Sequence, residues 1–169
     1  HEDDGATAIV VSAMVGEYLT TVKEMLQNSF DAVKSLIDNG QMTTGHIAIT
    51  IDPAARTVTV VDDGTGMTPE QLAGPFLRVA DTQKETERSS GGFGMAKGLW
   101  VYGNESIYVE TVRDGERSTL STTGSELKSA ADGVIEQPNV QVSSAPQGEH
   151  GTTVRVQIPR TFVDSQGVT

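Results

Sequence analysis

The stretch Arg56-Thr-Val-Thr-Val-Val-Asp62-Asp63-Gly64-Thr65-Gly66-Met67-Thr68-Pro69-Glu70-Gln71 changes its period twice. Its first part alternates, with Val58 and Val60 on one face, the pattern of a half-buried strand. Asp-Asp-Gly-Thr-Gly then stops the strand abruptly. Glycines there admit positive φ and let the backbone come close to a ligand. Thr68 follows as an N-cap, Pro69 as the first helical residue and Gln71 as the other half of a capping box. A helix therefore restarts, with Leu72, Phe76 and Val79 as its apolar side. At such a strand end, Asp62 can accept a hydrogen bond from an exocyclic amine in an otherwise apolar pocket. A simple turn accounts for the same residues; an EF-hand does not, because its further acidic positions are missing.

Upstream, His46-Ile-Ala-Ile-Thr-Ile-Asp52 alternates in the same way and places Ile47, Ile49 and Ile51 on one face. The turn Asp52-Pro53-Ala54-Ala55 joins it to the first stretch, so the two form a β-hairpin. Before the hairpin, Ala8 to Asp38 reads as helix, with Leu19, Val22, Leu26, Phe30, Val33 and Ile37 as one apolar stripe and Asn39-Gly40 as its stop. Gly16 weakens continuity, so the segment before Leu19 reads as a separate short helix or an arm. Residues 1–15 are assigned to an N-terminal arm or tag remnant, 16–160 to one domain and 161–169 to a C-terminal tail or linker stub.

Downstream, Asp81 to Ser90 is polar and reads as a mobile loop. The glycine-rich run Gly91-Gly92-Phe93-Gly94-Met95-Ala96-Lys97-Gly98 leads into a helix around Leu99-Trp100-Val101-Tyr102. Ser106–Val112 and Ser118–Thr122 form a second strand pair turned by Arg113-Asp114-Gly115-Glu116. Thr123 to Gly148 offers only one or two weak strands and loops, and Gly151 to Ile158 is a clear last strand.

The chain has 169 residues, enough for about one domain. No long apolar run crosses a membrane, and the acidic, polar first residues are not a secretory signal. Twelve basic and 23 acidic residues give a net charge of −11, which repels a nucleic-acid backbone or an anionic membrane, though not one small polyanion held by backbone amides. The absence of cysteine removes disulfides, thiolate metal sites and cysteine nucleophiles, and fits a cytoplasmic location. The three histidines, His1, His46 and His150, are scattered.

Four segments carry the chemistry. In Glu24-Met-Leu-Gln-Asn28-Ser-Phe-Asp31-Ala32, the residues Glu24, Asn28 and Asp31 sit within roughly 60° of one another on a helix. An amide oxygen ligates a hard cation such as Mg²⁺, and a carboxylate orients or deprotonates water; a solvated helix face is the bland alternative. Asp62 to Met67 is the second segment. The third, Gly91 to Gly98, offers amides at a helix start as a phosphate cradle, or a flexible hinge. It is neither a Walker A loop nor a Rossmann fingerprint. The fourth, Gly151-Thr152-Thr153, opens the last strand and alone signals only β-propensity.

In this order and spacing the four segments resemble the GHKL superfamily: the ATP-binding domains of DNA gyrase, heat-shock chaperones, sensor histidine kinases, and MutL- and MORC-type proteins. The resemblance covers about Val15 to Pro159. It implies the Bergerat fold, an α/β (α+β) two-layer sandwich with a mixed, mostly antiparallel sheet, helices on one face and a mobile ATP lid over Arg78 to Ser90. It implies ATP and Mg²⁺ as cofactors. Glu24 matches the general base and Asn28 the Mg²⁺ ligand, while Asp31 closes the helix motif. Asp62 matches the adenine-binding aspartate, Gly64 and Gly66 the glycines near adenine, and Met67 its apolar wall. Gly91, Gly92, Phe93, Gly94 and Met95 resemble the phosphate box, Lys97 either reaches phosphate or is an exposed helix residue, and Thr152 matches the threonine near adenine. Gln27 stands where many members have aspartate.

The function so implied is Mg-dependent ATP binding with slow hydrolysis, gating conformational change and ATP-dependent homodimerisation in a larger protein, through missing or N-terminal segments. Two alternatives remain: histidine-kinase-like phosphotransfer, and a nucleotide-gated module without turnover. Glu24 favours hydrolysis over phosphotransfer, and His46, expected on a strand, is no phosphoacceptor on a helix. Arg78 and Arg88 are candidates for a finger onto the phosphates. The client is not legible in the sequence.

Overall fold

A computed structural model describes residues 3–76 and 103–159, with side chains from 21 to 74 and from 103 to 159. The expected lid, the Gly91–Gly98 run with Lys97, both candidate finger arginines and the tail lie outside the described residues.

The chain opens with α1 (Asp3–Asp38), one continuous 36-residue helix. It passes through Gly16 without a break, where a separate short helix or arm was expected; one glycine costs only about 1 kcal/mol against alanine in a helix. The hairpin follows as β1 (Ile47–Asp52) and β2 (Thr57–Asp62). Helix α2 (Pro69–Gln71) carries the expected capping box between Thr68 and Gln71 and runs into a wider π turn over Leu72–Phe76. The second hairpin is β3 (Ser106–Arg113) and β4 (Glu116–Thr122). Asp114 and Gly115 turn it with φ of 53° and 79°, the paired positive φ of a type I′ turn. The rest is α3 (Gly124–Ala131), β5 (Gln141–Ser144) and β6 (Gly151–Gln157).

Helix α3 corrects the reading of Thr123 to Gly148 as weak strands and loops. The overlooked signal is Thr123-Gly-Ser-Glu126. The Thr123 hydroxyl accepts from Glu126 N–H at 3.0 Å, and the Glu126 carboxylate accepts from Thr123 N–H at 3.2 Å, a full capping box. Only Leu127 and Ala130 give the helix a buried apolar side, too few to register as a period.

The six strands form one sheet in the order β1-β2-β6-β3-β4-β5. All its described pairings are antiparallel, in keeping with the mostly antiparallel sheet expected. Crossovers bring β6 between β2 and β3, so the C-terminal ends of β2 and β3 lie beside the N-terminal end of β6. Asp62 is opposite Thr152, and Thr111 is opposite Thr152 from the other side. The core lies between sheet and helices: Met25 with Val58, Val60, Leu72, Ile107, Val109, Leu120, Leu127 and Val156.

The face that α1 turns to the core overlaps only in part, at Val33, with the stripe read from its apolar spacing. Met25, Val33 and Leu36 are buried, and Ser29 is buried beside them, whereas Phe30 and Ile37 are exposed. Val22 and Leu26 pack only partly against the core. Two apolar lines run side by side on this helix, and the sheet takes the one interrupted by a serine. A hydrophobic count passes over Ser29, whose burial follows from its hydrogen bond to Asp62.

Candidate functional site

A cavity of about 390 Å³ opens where α1 crosses the ends of β2, β3 and β6. Asn28, Ser29, Asp31 and Ala32 form one wall. Asp62, Thr65, Gly66 and Met67 form a second, and Gln71, Arg113 and Thr152 close it. Of the residues read from sequence, Asn28, Asp31, Asp62, Gly66, Met67 and Thr152 thus line one cavity. Glu24 and Gly64 do not line it. Gly91, Gly92, Phe93, Gly94, Met95 and Lys97 lie outside the described residues.

Asp62 is held from several sides. It is 6% exposed, and its Oδ1 accepts from Gly64 N–H at 2.9 Å. Burial pushes its carboxyl above the ordinary value; hydrogen bonds from Gly64 N–H, the Ser29 hydroxyl and Thr152 N–H pull back part of that shift, and the neighbouring Asp63 charge adds to it. A desolvated carboxylate on a cavity wall is a strong acceptor for a ligand N–H.

The loop after Asp62 is fixed at every residue. Gly64 fits under α1: a Cβ there would lie 2.6 Å from the Ala32 Cβ. Thr65 N–H donates to the Ala32 carbonyl at 3.2 Å. Gly66 has φ +66°, and a Cβ on it would lie 2.9 Å from the Val112 carbonyl carbon and closer still to its oxygen. Both glycines are therefore required by protein packing, not only by access to a ligand. Met67 N–H donates to the Thr111 hydroxyl at 2.8 Å, and that hydroxyl also meets Thr152 Oγ1 at 2.8 Å and the Gly151 carbonyl at 3.2 Å. Thr111 is fully buried and ties the loop to both neighbouring strands.

Two of the scattered histidines brace this loop. His46, which immediately precedes β1 rather than lying on it, places its Nδ1 3.0 Å from Asp63 Oδ2 and donates its backbone N–H to Asp63 Oδ1 at 2.7 Å. Desolvation pushes the Asp63 carboxyl up, but the His46 backbone N–H and ring outweigh it and leave it below its ordinary value. His150 Nδ1 lies 2.8 Å from the Gly64 carbonyl oxygen.

On the helix, Gln27 donates to Asp31 Oδ1 at 2.9 Å, so the amide that replaces an expected aspartate positions the next acidic residue. Glu24 is 9% exposed, and its Oε2 is buried without a partner among the described residues. A buried carboxylate oxygen is costly to leave unpaired, so this atom calls for a water or ligand proton. Asn28 adds an amide oxygen on the cavity side, a donor suited to a hard cation.

Ser29, Thr111 and Arg113 were missed from sequence. Arg113 donates to Gln71 Oε1 at 3.2 Å and brings a cation to the cavity. Its only sequence signal is its place at a strand end before Asp-Gly. Ser29 and Thr111 carry no signal, because a single hydroxyl on a helix or strand is commonplace.

The family model described as "Histidine kinase-, DNA gyrase B-, and HSP90-like ATPase" matches residues 17–152, most of the chain. Among solved structures, the 43K ATPase domain of Thermus thermophilus gyrase B, in complex with an aminocoumarin, is similar with a TM-score of 0.55 and 21% identity. The match covers 86% of this chain and 34% of that one, so this chain spans about a third of that structure and shares its fold. A search of curated proteins returns no relative. No helix among the described residues is long and apolar enough to cross a membrane. With the family match spanning the helix motif, the Asp62 loop and Thr152, the chain belongs to the histidine kinase-, DNA gyrase B- and HSP90-like ATPases, the GHKL superfamily.

Proposed function

We propose that this chain binds Mg-ATP in the cavity beside Asp62, hydrolyses it slowly, and uses binding and release to gate a conformational change in a larger protein. The observation that carries the reading is the buried Asp62 carboxylate, oriented by Gly64, Ser29 and Thr152 on the wall of a cavity that also holds Asn28. Asp62 accepts the exocyclic amine of adenine, and Met67 and Val154 supply apolar contact for the ring. Asn28 is the residue that would hold Mg²⁺, and the ion, when bound, supplies charge neutralisation for the phosphates. Glu24 orients a water toward the γ-phosphorus and takes its proton as the bond to ADP breaks. Catalysis is then mainly positioning and electrostatics. ATP-dependent pairing of two copies follows as the gated event, with nucleic acid excluded from this acidic domain surface on charge grounds.

Glu24 supports a second reading as well. It does not line the cavity, which favours a nucleotide-gated module that binds without turning over. Phosphate release and nucleotide affinity measured in parallel separate the two. Glu24→Ala should keep affinity within about threefold and lose turnover by at least about a hundredfold. A wild-type chain that binds ATP but releases no phosphate supports the second reading, and a Glu24→Ala chain that still hydrolyses at the wild-type rate refutes the role of Glu24.

A further inference from the structure

We propose that the free edge of β1 is a homodimer interface, formed by antiparallel pairing of two β1 strands about a two-fold axis through Ile49. No residue of β1 lines the nucleotide cavity, and the proposal does not depend on the reading of that cavity.

Strand β1 ends the sheet and, among the described strands, pairs only with β2. The His46 carbonyl accepts from Asp63 N–H at 3.3 Å, which sets the alternation of the ladder. Residues 48, 50 and 52 then turn their backbone groups to β2, and Ile47, Ile49 and Ile51 turn their N–H and C=O groups to the open edge. All six residues of β1 are exposed.

The same three isoleucines form an apolar shelf. Ile49 and Ile51 stand opposite Val60 and Val58 and share their face of the sheet, yet those valines are buried while Ile47, Ile49 and Ile51 are 37%, 45% and 58% exposed. Phe30 and Ile37 are exposed on α1, the helix that packs across β1 and β2. Edge strands are usually guarded by lysine, proline, a bulge or a covering element. Ile47 to Ile51 holds no charge and no proline, and its register to β2 is unbroken.

The sequence of the edge points to a second copy rather than a foreign strand. Ile47-Ala48-Ile49-Thr50-Ile51 is nearly symmetric about Ile49. In antiparallel pairing about that residue, Ile49 meets its own copy, Ile47 meets Ile51, and Ala48 meets Thr50. These isoleucine pairs fall in hydrogen-bonded register, each exchanging two backbone bonds. One step further out, His46 stands opposite Asp52, so the two Asp52 carboxylates do not face each other across the axis. An isologous interface requires this self-complementarity, and a foreign peptide does not.

The test is analytical ultracentrifugation of the 169-residue chain without nucleotide, over a micromolar concentration series at about 0.15 M salt to screen net charge. A monomer–dimer equilibrium is expected. Ile49→Lys puts two charges face to face on the axis and should weaken association by at least about a hundredfold, with circular dichroism unchanged. The chain has no cysteine, so single cysteines read the register. Ile49→Cys should form a disulfide-linked dimer on oxidation, its two Cα atoms about 5.5 Å apart. Ile51→Cys should not, because its copies lie about 13 Å apart along the strands. A chain that stays monomeric throughout, a dimer unaffected by Ile49→Lys, or Ile51→Cys linking as readily as Ile49→Cys overturns the proposal.

Discussion

Replacing Gly66 by alanine isolates one physical demand of the site, because Gly133 supplies a matched control. Both glycines have positive φ, +66° and +76°. An added Cβ at Gly133 meets nothing within 4 Å, whereas at Gly66 it runs into the Val112 carbonyl at the end of β3. At Gly133 the substitution costs about 1–2 kcal/mol for the left-handed backbone, less about 0.4–1 kcal/mol gained by restricting the unfolded chain. The net is about 0.5–1 kcal/mol, or about 1–4 °C of Tm at this chain length. At Gly66 the same balance holds, and the loop must also move off β3. That strains the 2.8 Å bond from Met67 N–H to Thr111 and leaves a part-buried donor unpaired, bringing the total to about 1.5–4 kcal/mol. Thermal denaturation by circular dichroism should therefore show Gly66→Ala melting about 3–16 °C below wild type. Equal shifts for the two variants would refute the claim that close approach to β3, rather than backbone conformation, requires glycine at this position.

Thr111→Val keeps shape but removes the hydroxyl that meets Met67, Thr152 and Gly151, and should cost about 1–3 kcal/mol in chemical denaturation with an unchanged m-value. Thr123→Ala removes the cap of α3 and should cost about 1 kcal/mol in the same assay. Nucleotide affinity should fall on acidification, because the protonated Asp62 carboxyl loses the charge that receives the adenine amine. Burial raises this group above its ordinary 3.8, so the midpoint should lie above that value in a fluorescence titration at stepped pH. The linked stability effect has the opposite sense. A carboxyl raised in the folded state contributes most below its unfolded pKa, and that contribution is lost as pH rises through the folded one, so Asp62 works against apo stability at neutral pH.

The strands were legible wherever alternation met a clear stop. Val58 and Val60 before Asp62, and the Asp114-Gly115 turn, mark their elements within a residue or two. The capping box at Thr68 was equally plain, because it is a local arrangement of three residues. Helix α3 was not, although Thr123 and Glu126 carry the same box, because too few apolar residues follow it. The core-facing side of α1 was misjudged for a different reason. Its burial is decided by what the sheet presents, and Asp62 draws Ser29 inward while Phe30 is left outside. The cavity residues that sequence order identified are those on recurrent motifs. Ser29, Thr111 and Arg113 are brought in by strand crossover and register, which no local pattern encodes.

The central claim is that the cavity beside Asp62 holds adenine. Calorimetric titration of the chain with Mg-ATP, paired with Asp62→Asn, tests it most directly. Asparagine keeps the size of the side chain and puts an amide where the carboxylate receives the ligand amine. The account predicts saturable one-site binding by the wild-type chain and loss of at least about tenfold in affinity in the folded variant. Equal affinity in the two proteins, or no binding by a folded wild-type chain, would contradict it.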